Sequence, residues 1–190
     1  MRKLILSSAL LAALPFAAMA QQPYPYSERS YTYVEGGYQN LQTDGPDADG
    51  AYVKGSYEFN NSGVYAHGQY SYMSSDGPDL YPRPYSVGIG YYHPVARDVD
   101  LLGEASYQRF QTNRGSVDGY KASLGMRTSF TDRTEGLLKV NHYDGGDFPR
   151  SYTTGTVGVQ YKLTPMWALN GEAELNNDFQ SYQVGVRANF

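Results

Sequence analysis

Cysteine is absent from this chain of 190 residues, so neither a disulfide nor a thiolate metal site can form. Histidine occurs three times, as His67, His93 and His142. No pair of these makes the H-x-x-x-H or H-E-x-x-H spacing of a helical zinc site. Basic residues are few. Arg2 and Lys3 belong to an N-terminal leader, so 13 of the 15 Lys plus Arg remain beyond it against all 19 Asp plus Glu, a net charge near −6. That excludes nucleic acid, which needs a basic footprint. Long apolar runs are missing too. Past the first twenty residues the longest is 166–169, Met-Trp-Ala-Leu. A helical membrane span needs about 20 apolar residues, so the chain cannot cross a bilayer as helices.

The first twenty residues read as a secretory signal peptide. Arg2 and Lys3 form a positive start, 4–16 an apolar core, and Ala18-Met19-Ala20 an A-x-A cleavage site. Residues 21–29, with Pro23 and Pro25, read as a flexible leader. The barrel is expected over 30–190, as argued below.

Glycine (21) and tyrosine (20, against 7 Phe and 1 Trp) are abundant, and side chains alternate with a period of two. In a strand that period separates two faces. Ten segments of about the length of a tilted transmembrane strand show it. They lie near 30–42, 50–59, 64–74, 85–92, 99–111, 120–130, 135–143, 155–163, 167–176 and 182–190. The sixth is the clearest, with Tyr120, Ala122, Leu124, Met126, Thr128 and Phe130 against Lys121, Ser123, Gly125, Arg127 and Ser129. Short turns are expected at 60–63, 94–98, 131–134 and 164–165, and loops near 43–49, 75–83, 112–117 and 144–150. The pattern predicts an all-β, antiparallel, up-and-down transmembrane β-barrel of ten strands, with eight as the alternative if one hairpin is misread. Closure is required, because an open edge in lipid leaves backbone groups unpaired.

Aromatics should form two girdles. Tyr57, Phe59, Tyr91, Phe130, Tyr161, Trp167 and Phe190 fall at turn ends, and Tyr38, Tyr70, Tyr72, Tyr85, Tyr107, Tyr120 and Tyr182 at loop ends. The opposite face carries six acids (Glu35, Glu58, Glu104, Glu135, Glu172, Glu174) and six bases (Lys54, Lys121, Arg127, Lys139, Lys162, Arg187). A Lys or Arg facing lipid at mid-depth costs about 2–4 kcal/mol, so these charges belong to a polar lumen. Ten strands enclose little more than eight, whose interiors side chains can fill. The balance favours a lumen packed with ion pairs over a narrow pore for ions or small solutes.

The chain ends on Gln183, Gly185, Ala188 and Phe190, in a strand that closes on an aromatic. This resembles the C-terminal signal read by barrel-assembly machinery. Tyr33-Val34-Glu35-Gly36-Gly37-Tyr38, the loop from Thr43 to Gly50, Val53-Lys54-Gly55-Ser56 and Asp118-Gly119-Tyr120 resemble a bacterial family of small outer-membrane barrels, OmpA/OmpX-like in kind. That family is labelled diffusible-signal-regulated or sulfation-dependent quorum factor. The resemblance runs from about Tyr31 onward and implies an outer-membrane location. The residues themselves carry no mark of a sulfated or secreted signal.

Outer-membrane lipid and lipopolysaccharide are the expected partners. The loops are acidic (Asp44, Asp47, Asp49; Asp76, Asp79; Asp144, Asp147), which suits loose divalent-cation bridging to lipopolysaccharide phosphates. Asp47-Ala48-Asp49-Gly50 is similar to part of a calcium loop but fails at Gly45 and Ser56, so no metal or cofactor is expected. Tyr81, Pro82 and Pro84 suggest a loop surface for adhesion. His142 beside Asp144 is the best candidate for chemistry at a rim, yet alternation turns His142 toward lipid. The chain does not read as an enzyme.

Overall fold

The computed structural model describes residues 29–190 except 44, 76–81, 113–114 and 147–150. The expected signal peptide, leader residues 21–28, and Asp44, Asp76, Asp79, Tyr81 and Asp147 lie outside the described residues. Ten strands follow one another: β1 (Tyr33–Thr43), β2 (Ala48–Glu58), β3 (Val64–Ser75), β4 (Arg83–Ala96), β5 (Val99–Thr112), β6 (Gly115–Ser129), β7 (Thr134–Asp144), β8 (Tyr152–Lys162), β9 (Trp167–Leu175) and β10 (Phe179–Asn189). Each pairs antiparallel with its neighbours, and β1 pairs β10, so the sheet is a closed up-and-down barrel. The alternative of eight strands falls away. The seam runs from Tyr33 opposite Asn189 to Thr43 opposite Phe179. Phe190 continues it, its N–H donating to the Thr32 carbonyl at 3.0 Å.

The turns follow from their residues. Between β2 and β3, Asn60 and Asn61 both have φ near 52°, and Ser62 N–H donates to the Phe59 carbonyl at 2.9 Å. Two successive left-handed residues fit a type I′ turn, whose twist suits a two-strand hairpin and which asparagine tolerates. Gly63, at φ 78°, completes the reversal.

Two boundaries differ most from the sequence expectation, beyond shifts of about three residues at the starts of β1, β8 and β10. Residues 94–98 are not all turn, because β4 continues to Ala96 with a bulge between Pro94 and Ala96. A bulge accommodates proline's missing N–H inside a ladder. The loop expected over 112–117 is mostly strand, since β5 reaches Thr112 and β6 starts at Gly115. Val117 is the one large apolar side chain of that stretch, too little to set an alternating rhythm.

The outer surface is an apolar band built from Val34, Val53, Val87, Ile89, Leu124, Leu138, Val140, Val157, Leu169 and Val184, all exposed. Toward the termini it meets Tyr57, Phe59, Tyr91, Phe130, Tyr161, Trp167 and Phe190, also exposed. Toward the loops it meets exposed Tyr38, Tyr70, Tyr72, Tyr120 and Tyr182, with half-buried Tyr85 and Tyr107 between them. Buried residues line the inside, where glutamates, arginines, serines, asparagines and tyrosines predominate.

Candidate functional site: the barrel lumen

At the end holding the termini, the chain before β1 turns inward. Arg29, read from the sequence as the last residue of a flexible leader, is instead buried at 3% exposure. Its Nε and Nη2 each donate to Asp100 at 2.7 Å. Asp100 is wholly buried, which is why the segment before β1 becomes fixed here: an unpaired buried carboxylate would cost several kcal/mol, on the order of the penalty per ion. Tyr31 follows Arg29 inward. It donates to the same carboxylate at 2.9 Å, stacks on Tyr92 at 4.0 Å and on Tyr65 at 5.2 Å, and lies under the Arg127 guanidinium. Leu102 and Leu137 pack on this stack. Below it, Glu135 holds Arg127 and Lys162, each at 2.6 Å, and Glu58 accepts from the Tyr92 hydroxyl at 2.7 Å.

The middle of the lumen is an ion-pair lattice. Glu35, 1% exposed, accepts from Arg187 through Nε and Nη2, both at 2.6 Å. Its other oxygen accepts from the Tyr52 hydroxyl at 2.6 Å and faces Lys54 at 3.8 Å. Lys54 reaches Glu172 at 3.0 Å, and Arg187 lies 3.8 Å from the centre of the Tyr33 ring. Across the lumen Glu104 pairs with Lys139 at 3.1 Å and accepts from Tyr65 at 2.8 Å. One cavity of about 100 Å³ remains among these groups, with Ser56 Oγ, His67 Nε2 and Gln160 Nε2 buried on its wall without a protein partner. A polar space of that size takes a few waters.

Glycine lets two tyrosines reach these carboxylates. Tyr65, Gly90 and Glu104 lie in one row across β3, β4 and β5, and a β-carbon at Gly90 would collide with the Tyr65 ring. Tyr52, Gly37 and Gly185 form a second row across β2, β1 and β10, and a β-carbon at Gly185 would strike the Tyr52 hydroxyl. Gly185, read from sequence as part of a terminal assembly signal, thus also clears a path for a lumen side chain.

Toward the loops, Glu174 accepts through Oε1 from Tyr143 (2.7 Å), Thr154 (2.6 Å) and Asn141 (3.4 Å). Gln39 links to Ser71 at 2.7 Å and to Ser181 at 3.1 Å. Above this floor is a second cavity, of about 270 Å³, with Tyr143, Tyr152, Phe179 and Met73 on its walls and Lys121 at its base.

All twelve charges assigned to the lumen from sequence therefore stand on its lining, and eleven meet an opposite charge or a hydroxyl, amide or backbone donor within 3.2 Å. Lys121 is the exception and is treated below. Sequence reasoning missed Arg29 and Asp100, although Asp100 shares the face of Leu102 and Glu104. It also missed the inward tyrosines 31, 52, 65, 92 and 143. Of the terminal signal residues, Phe190 is 68% exposed and Gln183 lines the loop-side cavity. Ala188 keeps an outward register between Val34 and Trp167 but is only 9% exposed, its single methyl set between larger neighbours. Asp47 and Asp49 serve the first hairpin, accepting from Thr43 N–H at 3.2 Å and from the Tyr38 hydroxyl at 2.8 Å. His142 is exposed on the outer face, 3.2 Å from Thr153 Oγ1.

A closed sheet with every strand paired, an apolar aromatic-girdled outside and a charged inside is a transmembrane β-barrel of the outer-membrane type. The family model described as outer membrane protein beta-barrel domain matches residues 8–190, and the chain belongs to that family. Its location is accordingly the outer membrane. Among solved structures it is similar to the KdgM porin, at 16% identity over 83% of this chain and 99% of that chain, with a TM-score of 0.48. It is also similar to Ail, the attachment invasion locus protein of Yersinia pestis (15% identity, 85% and 99% covered, TM-score 0.38). A third is Neisserial surface protein A (13% identity, 85% and 98% covered, TM-score 0.42). A sequence comparison with curated proteins finds no match.

Proposed function

We propose that this protein is a small outer-membrane barrel with a filled, non-conducting lumen, and that it acts structurally or through surface contacts made by its loops. The observation that supports this reading is that bonded side chains cross the lumen at two successive levels. The Tyr31 stack, anchored by Arg29 on Asp100, crosses the termini end, and the Glu35–Arg187–Glu172–Lys54 lattice crosses the middle beside a cavity of about 100 Å³. Mutually bonded side chains of this kind resist displacement by a passing ion, and the tyrosine stack is the level that closes the path. Adhesion, biofilm formation or a quorum-linked role is the surface function, the last in keeping with the resemblance of Tyr33–Tyr38 and the Thr43–Gly50 loop to the quorum-factor family. An even strand number puts both termini in the periplasm and the loop-side cavity outward. Export through a cleaved signal peptide brings the chain there, with outer-membrane lipid and lipopolysaccharide around its girdles.

The deciding measurement is conductance of the refolded protein in planar bilayers at high salt. Insertions should give no reproducible open level. A steady step of constant size across insertions would overturn this reading in favour of a narrow pore. No catalytic role is proposed, because the lumen carboxylates are committed to ion pairs and hydroxyl donors, and His142 faces outward.

Barrel-assembly machinery is the proposed partner of the last strand. Phe190 projects from the outer surface at the seam, where an assembly factor can engage it before closure. Phe190→Ser should lower the outer-membrane yield in cells at least tenfold while refolding in detergent proceeds as for the parent. Equal yields in cells would remove this partner.

A further inference from the structure

We propose that the loop-side cavity is a binding site for a small amphipathic carboxylate, held with its charge at Lys121 and its apolar body against Tyr143, Tyr152 and Phe179. The inference goes beyond the filled-lumen reading and does not depend on it, since a site on one side of the lattice is compatible with a closed or a conducting barrel.

The first observation concerns charge. Arg29, Lys54, Arg127, Lys139, Lys162 and Arg187 each hold a carboxylate within 4.0 Å. Among the described residues Lys121 is the one lumen cation that holds none. Its contact is with the Tyr143 ring, 5.6 Å from ammonium to ring centre. Lys121 lines the loop-side cavity, the central cavity and a gap of about 50 Å³ between them, so its head stands where these spaces meet. The neighbouring acid, Glu174, is occupied by Tyr143, Thr154 and Asn141 at a single oxygen and makes no ion pair with it among the described residues. A buried cation favours an anionic partner, and among the described residues every other lumen cation has one.

The second observation concerns shape and surface. Tyr143 and Tyr152 stack at 4.6 Å with planes 12° apart, and Phe179 meets Tyr152 edge-on at 5.9 Å. Met73, 1% exposed, lies on the same lining. Tyr143, Tyr152 and Phe179 form an aromatic patch on a lining that also carries the polar side chains of Gln39, Gln69, Ser71, Gln108, Glu174 and Ser181. A cavity of about 150 Å³ already accommodates benzene, so 270 Å³ admits a two-ring body bearing a carboxylate. At the base the buried Gln183 amide oxygen, without a protein partner, can accept from the Lys121 ammonium or from water but not from a carboxylate, so Lys121 alone meets the ligand's charge. A bare inorganic anion would leave the aromatic patch uncovered. A neutral apolar molecule would leave the ammonium unmet. A carboxylate on an apolar body satisfies both.

The test uses the full chain refolded into nanodiscs, with empty nanodiscs subtracted. The probe is 2-naphthoate, followed by its fluorescence, and the comparison is the uncharged 2-naphthylmethanol. Saturable naphthoate binding at least tenfold tighter than the alcohol is expected, equal to about 1.4 kcal/mol. Lys121→Met should abolish that preference and Lys121→Arg should keep it. Equal affinity for the two probes, or no saturable binding of naphthoate, overturns the proposal with the parent protein alone, so the result does not hang on whether a variant folds. A preference that survives in folded Lys121→Met overturns it equally.

Discussion

Gly37→Val should yield no closed barrel, with loss of the compact, heat-modifiable band on gels and a folded fraction below about one tenth of the parent's under the same refolding conditions. Gly37 sits on β1 facing Gly185 of β10, at the seam that converts a ten-strand sheet into a cylinder. A β-carbon there would overlap the backbone carbonyl of Val184 and the Cα of Gly185. Side-chain overpacking costs about 1–3 kcal/mol because neighbours shift. Backbone atoms of a paired strand cannot shift without parting β1 from β10. In lipid the parted edges would expose N–H and C=O groups at several kcal/mol each, an order-of-magnitude penalty that multiplies along the strand. The control lies one residue away. Gly36 faces outward, and a β-carbon there meets nothing nearer than the Tyr52 carbonyl at 3.7 Å, so Gly36→Ala should refold like the parent. If Gly37→Val folds as well as Gly36→Ala, the close approach at the seam is not what limits closure.

The contrast between these two adjacent glycines shows what the amino-acid sequence discloses and what it withholds. Alternation places Gly36 outward beside Val34 and Tyr38, and the same rhythm places all twelve charges of the lumen. It works because lipid rejects charge, so each strand keeps two faces of opposite character. Tyrosine breaks the rule. Its apolar ring and polar tip suit a girdle and a lumen equally, so residue type alone does not separate Tyr57 outward from Tyr52 inward, and only their parity with Val53 and with Lys54 does. The glycine rows that let Tyr52 and Tyr65 cross to another strand are equally silent, because they join residues of three strands. Alternation puts Asp100 two residues before Leu102 on one face, but its partner Arg29 lies outside any strand and has no periodicity to betray it. The extension of β5 and β6 past residue 111 is hidden for the opposite reason: Val117 is the one large apolar side chain there, and only the ladder defines the strand.

The second large effect concerns Glu35 and Arg187, the pair at the centre of the lattice. Glu35→Met leaves the Arg187 guanidinium, 7% exposed, without the two 2.6 Å bonds that neutralise it. Breaking a buried pair from one side typically costs about 3–5 kcal/mol, because the surviving charge stays desolvated. Arg187→Met should cost a similar amount by stranding Glu35, which keeps only Lys54 at 3.8 Å as a cation. The double variant Glu35→Met/Arg187→Met removes both charges, keeps the Lys54–Glu172 pair at 3.0 Å, and refills the volume with side chains of similar length. It should recover at least half of the loss seen in either single variant, as read from urea unfolding midpoints in lipid vesicles. Strict additivity of the two single effects would mean that the residues act independently and that the lattice is not a unit. Conductance of the double variant separates charge from occlusion. If side-chain bulk closes the lumen, the methionine pair should be as silent as the parent. A new open level in that variant alone would show that the ion pairs, by fixing their own positions, are what keep the path shut.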